Sequence, residues 1–324
     1  MKNKYLVDDF WDEEKLKKRS IREGFGEAIV EIAKKNEEIV VLSADLPGSL
    51  KLEKFIEVHP ARYLQTGVAE QNMAGIAAGL AHYGKLPFVT SFAAFSPGLN
   101  YSQIRLSALS RLPVKFVGSH YGLNTGKDGP SAQMLSDVAM MKALPGMVIV
   151  NPADYHQALQ ATRAISETED ISYLRVTREK FPVFFKDGAE FEIGKAQGLL
   201  EGDKLTVIAT GSVVYESLQA VKPMVNLGIS VDFLNMHTIK PLDEKAIIES
   251  ATKTGKVVVV EEHNIHGGLG ESVARVLGQS RPVLLEIIAV EDAIGESGDP
   301  WELWKKYGLD RVSIRKRIEE FLQN

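Results

Sequence analysis

One acidic residue, Glu70, lies in a segment at residues 67–79 that is otherwise rich in small and apolar side chains. A helix is predicted to begin there, and its small residues would let another helix approach closely. Burial at such a seam would favour the uncharged carboxyl group. That state suits an acid that shares a proton with a heterocyclic nitrogen. A carboxylate is also favoured at any helix N-terminus, so the spacing alone leaves both interpretations open.

Two aromatic residues, Phe92 and Phe95, follow at the end of a predicted strand. Their rings, three positions apart, could stack against a flat ligand. Aromatic residues at this spacing belong more often to a hydrophobic core. The pair alone does not decide between a ligand-binding and a structural role.

A loop at residues 118–131 carries two polar side chains, His120 and Asp128, among glycines and turn-forming residues. It follows another predicted strand, and ligands of doubly wound sheets bind where the strands end. Neither side chain has an evident structural task, so a functional site is favoured over a plain turn. Arg22 and Arg178 are each typical of a surface, but as a pair at loop ends they could clamp an anionic group.

Composition excludes several other kinds of chemistry. The 324 residues include no cysteine, so disulfides, thiolate nucleophiles and cysteine-ligated metals are excluded. A net charge of −5 argues against nucleic-acid and anionic-membrane partners, which favour basic surfaces. His263 and His266 lack metalloprotease spacing, and no metal site is predicted in this chain. Neither a signal peptide nor a run of about 18 apolar residues is evident, which predicts a cytoplasmic protein without a membrane span.

The candidate residues lie in a chain of alternating predicted strands and helices. Strands are predicted at 86–92, 114–118, 147–150 and 171–176, and helices at 70–83, 99–111, 134–143 and 154–167. A second alternating unit follows the polar stretch at 185–204. This pattern predicts an α/β fold of two doubly wound domains with mainly parallel sheets.

The domain limits are expected at 1–19 for an N-terminal arm, 20–189 for the first domain and 190–324 for the second. The charged residues of the arm predict a short helix that is either solvated or packed on a partner. Ser20 and Glu23 match a capping box, in which each side chain would satisfy a free N–H at the helix start.

Together these segments resemble the C-terminal half of transketolase, from Ser20 onward. The stretches that carry the resemblance are HPARYLQTGVAEQNMAGIAAGLA, TSFAAF, YSQIRLSALS, GSHYGLNTGKDGPSAQMLSDVAMM, IKPLD and VEEHNIHGGLGESVA. The resemblance implies a pyrimidine-binding domain followed by a transketolase C-terminal-like domain. It further implies thiamine diphosphate as the cofactor and transfer of a two-carbon ketol unit between sugar phosphates.

The resemblance also implies roles for individual residues. Glu70 matches the glutamate that hydrogen-bonds the aminopyrimidine ring and promotes the tautomer that activates the cofactor. Phe92 and Phe95 match the aromatic residues beside that ring, and Asp45 and Leu46 match residues that contact the cofactor near its middle. The polar pair that binds sugar hydroxyls is matched by His120 and Asp128, and the group that binds the substrate phosphate by Arg22, Ser49 and Arg178.

Two departures from the family pattern bear on function. Ala132 stands where many transketolases have a histidine that touches the donor's first hydroxyl, which leaves the donor ketose open. The Gly-Asp-Gly…Asn pattern that thiamine enzymes use for diphosphate and magnesium is absent from these residues. The resemblance therefore implies a companion subunit that holds the diphosphate with Mg²⁺ (or Ca²⁺), in an expected α2β2 assembly.

Three other interpretations remain open. The same halves occur in the β subunit of 2-oxo acid dehydrogenases and in deoxyxylulose-phosphate synthase-like enzymes. The Asp128-Gly-Pro loop favours transketolase over the first of these, and His120 favours it over the second. A non-catalytic partner subunit that kept the fold is disfavoured by the joint presence of Glu70, His120, Asp128 and Arg178.

Overall fold

The computed structural model describes residues 3–323, in which helices and strands alternate along most of the chain. The strands are β1 (Lys18–Ser20), β2 (Ile39–Ser43), β3 (Tyr63–Gln65), β4 (Leu86–Phe92), β5 (Lys115–Ser119), β6 (Val148–Val150), β7 (Ser172–Val176), β8 (Lys180–Pro182), β9 (Gln197–Leu200), β10 (Leu205–Ala209), β11 (Val231–Asn235), β12 (Thr238–Lys240), β13 (Lys256–Asn264) and β14 (Leu284–Val290). The helices are α1 (Ile21–Lys35), α2 (Glu53–Val58), α3 (Glu70–His82), α4 (Tyr101–Leu109), α5 (Asp137–Lys142), α6 (Tyr155–Ser166), α7 (Val213–Asn226), α8 (Glu244–Thr254), α9 (Leu269–Ser280), α10 (Pro300–Lys306) and α11 (Arg311–Gln323).

The predicted α/β class with mainly parallel sheets is confirmed. A seven-stranded sheet has the order β12-β6-β7-β5-β4-β2-β3, and a five-stranded sheet has the order β14-β13-β10-β11-β9. Pairing is parallel throughout except at the edge strands β12 and β9. The small sheet of β1 and β8 is antiparallel.

Strand β2 shows why the larger sheet is covered on both faces. All five of its residues are buried, as expected for an apolar run inside a parallel sheet. Ile39 and Val41 pack in the cluster that contains α1 and α6, whereas Val40 and Leu42 pack with residues of α3, α4 and α5. This alternation follows from the two-residue period of a strand.

Strand β12 joins the two halves of the chain. Although it follows the first strands of the five-stranded sheet in sequence, it pairs with β6 at the edge of the seven-stranded sheet, with Thr238 opposite Val150. Backbone hydrogen bonds between β12 and β6 thus connect the two halves, in addition to side-chain contacts.

The expectation of a helical arm at 1–19 is wrong for the part that the structure describes; residues 1 and 2 lie outside it. Within residues 3–17, the one helical turn is a 3-10 helix at Glu13–Lys15. Leu6 forms a bridge with Phe185, and Tyr215 Oη donates to the carbonyl oxygen of Phe10 at 3.2 Å. The arm forms turns and bends rather than an α-helix, and its apolar residues contact both halves of its own chain.

The predicted capping box at Ser20 is also wrong. Ser20 Oγ donates to the carbonyl oxygens of Thr177 (3.4 Å) and Arg178 (3.3 Å), and Glu23 pairs with Arg19 at 3.1 Å. Contacts with the chain beyond β7 have displaced the local capping interaction. No helix within residues 3–323 combines the length and apolar character that a membrane crossing requires.

Candidate active site

The candidate residues leave the seven-stranded sheet at one edge. Strands β2, β4, β5 and β7 run parallel to one another, so their carboxyl ends meet there. Asp45 follows β2, Phe92 ends β4, His120 follows β5 and Arg178 follows β7. This is the edge at which doubly wound sheets bind ligands.

Glu70 is the first residue of α3, and its side chain is buried, with 6% exposed. Ser91 Oγ, near the end of β4, donates to Glu70 Oε1 at 3.3 Å. Among residues 3–323, no hydrogen-bond donor reaches the second carboxylate oxygen, Oε2. One oxygen of a buried carboxyl group is therefore free to bind a ligand.

Phe92 lies between two other rings. It stacks on the imidazole of His120, with the ring centroids 3.8 Å apart and an angle of 20° between the planes. It is also nearly parallel to Phe95, with 5.7 Å between centroids. That separation is typical of direct contact between two rings, so no third ring fits between them. A flat ligand would have to lie against the remaining face or edges of this group.

His120 is held in an unusual backbone conformation, with φ at +56°, and is almost fully buried. Its Nδ1 is 2.8 Å from Ser119 Oγ. Burial, together with the smaller effect of the charges of Arg22 and Arg178, lowers the pKa of His120 to about 3. The imidazole is neutral at physiological pH, so it can donate a hydrogen bond at one nitrogen and accept at the other.

The two arginines converge on this histidine. Arg22 Nη1 donates to the carbonyl oxygen of Ser49 at 2.9 Å, while Arg22 Nε is buried without a hydrogen-bond partner. Burial lowers the pKa of Arg22, and the nearby charge of Arg178 contributes to the same shift. An unpaired buried N–H near a second guanidinium fits a site for an anionic group.

Asp128 lies beside Arg178 rather than beside His120. Its Oδ1 is 3.1 Å from Arg178 Nη1, and about a third of each side chain is exposed. The structure thus joins two residues that the resemblance assigns to different parts of a substrate. Ala132, on the same loop, is buried.

Asp45 and Leu46 begin the turn after β2. Asp45 has φ at +60°, and its side chain is exposed. Its N–H donates to Gln65 Oε1 at 2.8 Å, and the N–H of Leu46 donates to Ser43 Oγ at 3.3 Å. Both residues lie at the common strand edge, although no direct contact joins them to Glu70.

Sequence reasoning assigned no role to Ser91 or Gln65. Ser91 was visible only as the residue before Phe92, at the end of an apolar strand. Gln65 is separated from Asp45 by α2, so only the pairing of β2 with β3 brings them together. Neither contact has a local sequence signal.

Two family models match consecutive parts of the chain. The transketolase pyrimidine-binding domain matches residues 17–183, and the transketolase C-terminal domain matches residues 194–314.

Relatives match over nearly the whole length. A putative transketolase C-terminal section of Methanocaldococcus jannaschii is 44% identical, covering 93% of this chain and 96% of its own. A 6-deoxy-6-sulfo-D-fructose transketolase subunit of a Clostridium species is 38% identical, covering 95% and 96%. A solved split-gene transketolase, described as an inactive β4 tetramer, superposes with a TM-score of 0.88 at 37% identity, covering 94% of this chain and 98% of that one.

Proposed function

Because this chain belongs to the transketolase family, we propose that it is one subunit of a split, thiamine-diphosphate-dependent transketolase that moves a two-carbon ketol unit between sugar phosphates. The observation that carries the proposal is Glu70, a buried carboxyl group with one unpartnered oxygen beside a neutral histidine and two aromatic rings. These residues fit an aminopyrimidine, which is flat and presents nitrogen atoms to an acid.

Each residue has a distinct proposed task. Thiamine diphosphate, when bound, supplies the carbon centre that accepts the two-carbon unit. Glu70 would hold a proton at the pyrimidine ring, oriented by the hydrogen bond from Ser91. Phe92 and Phe95 would exclude water from that ring, and Asp45 and Leu46 would contact the cofactor near its middle.

The substrate would lie toward His120 and the arginines. The neutral imidazole of His120 can donate to or accept from a sugar hydroxyl, and Asp128 can accept from another. Arg22, Arg178 and Ser49 would bind the substrate phosphate, since the unpaired Nε of Arg22 requires an acceptor. When phosphate binds, Arg178 can exchange its ion pair with Asp128 for one with the ligand.

A companion subunit is proposed because the site is open on one side. Val68, two residues before Glu70, is 81% exposed, and Leu106 and Leu109 of α4 are 59% and 63% exposed. Gly75 and Gly79 of α3 have open space where a Cβ would lie. Exposed apolar surface of this kind marks a protein interface. The companion would cover this surface and hold the diphosphate and Mg²⁺ (or Ca²⁺), in an α2β2 assembly.

The experiment is reconstitution with the chain encoded beside this one. Each chain alone should show little transfer from xylulose 5-phosphate to ribose 5-phosphate. The mixture with thiamine diphosphate and Mg²⁺ should form sedoheptulose 7-phosphate, and analytical ultracentrifugation should show two copies of each chain. Full turnover by this chain alone would overturn the split site. Decarboxylation of a 2-oxo acid by the mixture would instead favour a dehydrogenase β subunit.

The identity of the ketose that donates the two-carbon unit depends on the residues around Ala132. Ala132 offers no side-chain hydrogen bond where many family members have a histidine, and one relative is named for a sulfonated ketose. The reconstituted mixture should therefore also be assayed with 6-deoxy-6-sulfo-D-fructose.

A further inference from the structure

The loop that carries His120 and Asp128, at residues 120–131, rests on a buried carboxylate from the second half of the chain. This is Glu262, near the end of β13, with 1% of its surface exposed. Its Oε1 accepts from the N–H of Asn124 (2.9 Å) and from Trp304 Nε1 (2.8 Å). Its Oε2 accepts from Asn124 Nδ2 (2.7 Å) and Ser212 Oγ (2.7 Å).

These four contacts place hydrogen-bond donors at both oxygens of Glu262, and the donors partly offset the rise in its pKa that burial causes. A backbone N–H, an amide NH₂ and an indole N–H can only donate, so both oxygens of Glu262 must accept. A glutamine at position 262 would place its NH₂ against one of these donors, whichever way its amide is turned. The two hydrogen bonds with Asn124 therefore require a carboxyl group.

Gly122 shows how closely the loop lies on this carboxylate. Its φ is +74°, and a Cβ at this position would come within 2.4 Å of Glu262 Cδ. Only glycine allows both this backbone conformation and this approach.

The residue after Asn124 connects this contact to the candidate site. Thr125 Oγ1 donates to the carbonyl oxygen of His120 at 2.6 Å, and the carbonyl oxygen of Thr125 accepts from Arg178 Nη1 at 3.0 Å. One residue thus holds both the strained backbone of His120 and the guanidinium of Arg178. The path from Glu262 to these two groups consists of Asn124 and Thr125.

We propose that Glu262 is a positioning residue of the active site, which fixes His120 and Arg178 for substrate through Asn124 and Thr125. This inference rests on the proposed function, which takes those two side chains as substrate-binding groups. It gives the second domain a task at a site to which it contributes no substrate contact. Two further bonds hold the far end of the loop, from Ser297 Oγ to the carbonyl oxygen of Lys127 (2.6 Å) and from Gln133 Nε2 to that of Glu296 (2.8 Å).

The test compares Glu262→Gln with Glu261→Gln, the same change one residue earlier. Glu261 is equally buried, but its carboxylate accepts from the N–H groups of Leu269 and Gly270, both at 2.7 Å, at the start of α9. It has no bond to the 120–131 loop. Loss of stability alone should therefore appear in both variants, whereas loss of loop position should appear only in Glu262→Gln.

Hydrogen–deuterium exchange on the chain itself measures loop position without any turnover. In Glu262→Gln the amides of 121–128 should exchange about tenfold faster or more, because the N–H of Asn124 loses its acceptor. In Glu261→Gln the faster exchange should instead appear at 268–271. Equal exchange of the loop in both variants would overturn the positioning role.

Kinetics of the reconstituted enzyme give the second readout. Glu262→Gln should lower kcat/KM by about tenfold to hundredfold through misplaced substrate groups, chiefly by raising KM. Glu261→Gln should stay within about twofold of wild type, the level of an indirect effect. If the wild-type mixture transfers no ketol unit, the proposed function fails, and the exchange result still decides the loop contact.

Should Glu262→Gln not yield folded protein, Ser212→Ala replaces it. This change removes one of the four donors and leaves the carboxylate in place. The same peptide should exchange faster, by a smaller factor. Unchanged exchange at 121–128 would count against the proposal.

Discussion

Two regions of this molecule bury charged side chains, on opposite sides of the 120–131 loop. Beneath the loop, Arg175 and Asp137 have no more than 1% of their side chains exposed and form a two-pronged ion pair at 2.7 and 3.0 Å. Tyr173 Oη also donates to Asp137 at 2.7 Å. At the strand edge above, Arg22 keeps a buried Nε without a partner, and Glu70 keeps one oxygen without a donor.

The difference separates structural charge from functional charge. A buried ion pair contributes to a unique fold only if its charged oxygens are satisfied; both oxygens of Asp137 accept from Arg175, and Oδ2 also accepts from Tyr173. Unsatisfied buried groups cost free energy, and a bound ligand would supply partners for those at the strand edge. The contrast predicts that substitutions of the unpaired groups at the edge affect activity and that substitutions of Arg175 and Asp137 affect stability.

Glu70→Gln should give the largest effect on activity. The substitution keeps the shape of the side chain but removes its acidity, so activation of the cofactor should fall by about 10²- to 10⁴-fold. Exchange of the C2 proton of bound thiamine diphosphate with deuterium measures this step without turnover. The urea midpoint of the chain should stay near that of wild type.

Glu244→Gln is the matched control for Glu70. Glu244 is also the first residue of a helix, α8, but it is exposed and lies in the second half of the chain. If both variants kept the wild-type rate of C2 exchange, Glu70 would be a helix-start residue and nothing more.

Arg175→Met should give the largest effect on stability. It leaves Asp137 buried without its cation, which costs about 3–5 kcal/mol in the free energy of unfolding. Urea denaturation followed by circular dichroism would measure the loss. The control is Arg275→Met, which breaks an ion pair to Glu244 that is half exposed and should cost less than about 1 kcal/mol. Equal losses in the two variants would contradict the distinction between the regions.

Arg178→Ala should have a smaller effect, confined to substrate binding. Loss of a charged hydrogen bond to phosphate should raise KM for phosphorylated donors about tenfold or more, with kcat nearly unchanged. Hydroxypyruvate, a donor without phosphate, should show little change. Arg281→Ala, at the exposed end of α9, is the control. A loss confined to kcat would argue against a phosphate role.

Elements that form from their own residues were predictable from the sequence. The strand predicted at 86–92 is β4 (Leu86–Phe92), and the helix predicted at 70–83 is α3 (Glu70–His82). The strand has a continuous run of apolar residues and the helix has a periodic one, so the type of each element can be inferred from its own residues. The arm, the hydrogen bonds of Ser20 and the three-residue strand β12 depend on distant partners, and no local pattern indicates them.

The sequence indicated the edge of the sheet at which the candidate residues lie, but not which of them form contacts with each other. Residues after parallel strands must meet at one edge, which brings Phe92, His120 and Arg178 together, whereas Glu70 was predicted only as the start of a helix. The ion pair of Asp128 with Arg178 depends on how the loop folds back on itself. Glu261 and Glu262 directly follow a run of four valines, and this position at the end of a buried strand is a signal that could have indicated a buried carboxylate. The sequence does not show that Glu262 contacts Asn124.

The smallest expected effect near neutral pH concerns protonation of His120. Its pKa in the folded chain, about 3, lies below the ordinary value of 6.5. As pH falls below 6.5, the unfolded chain takes up a proton that the folded chain does not, so the free energy of unfolding decreases until pH nears 3. Each pH unit in this window costs up to about 1.36 kcal/mol for this one group. Above pH 7 the contribution is complete and constant.

Comparison with His237 distinguishes burial from the arginine charges as causes of the lowered pKa of His120. Its pKa is also lowered to about 3, by burial alone and against the charge of Asp243. Arg22→Ala should therefore raise the pKa of His120 only part of the way toward 6.5, because burial remains, and should leave His237 unchanged. Ring resonances followed by NMR from pH 3 to 8 would measure both residues in one sample. If His120 titrated near 6.5 in the wild-type chain, its ring would be in water and could not be the neutral group that the site requires.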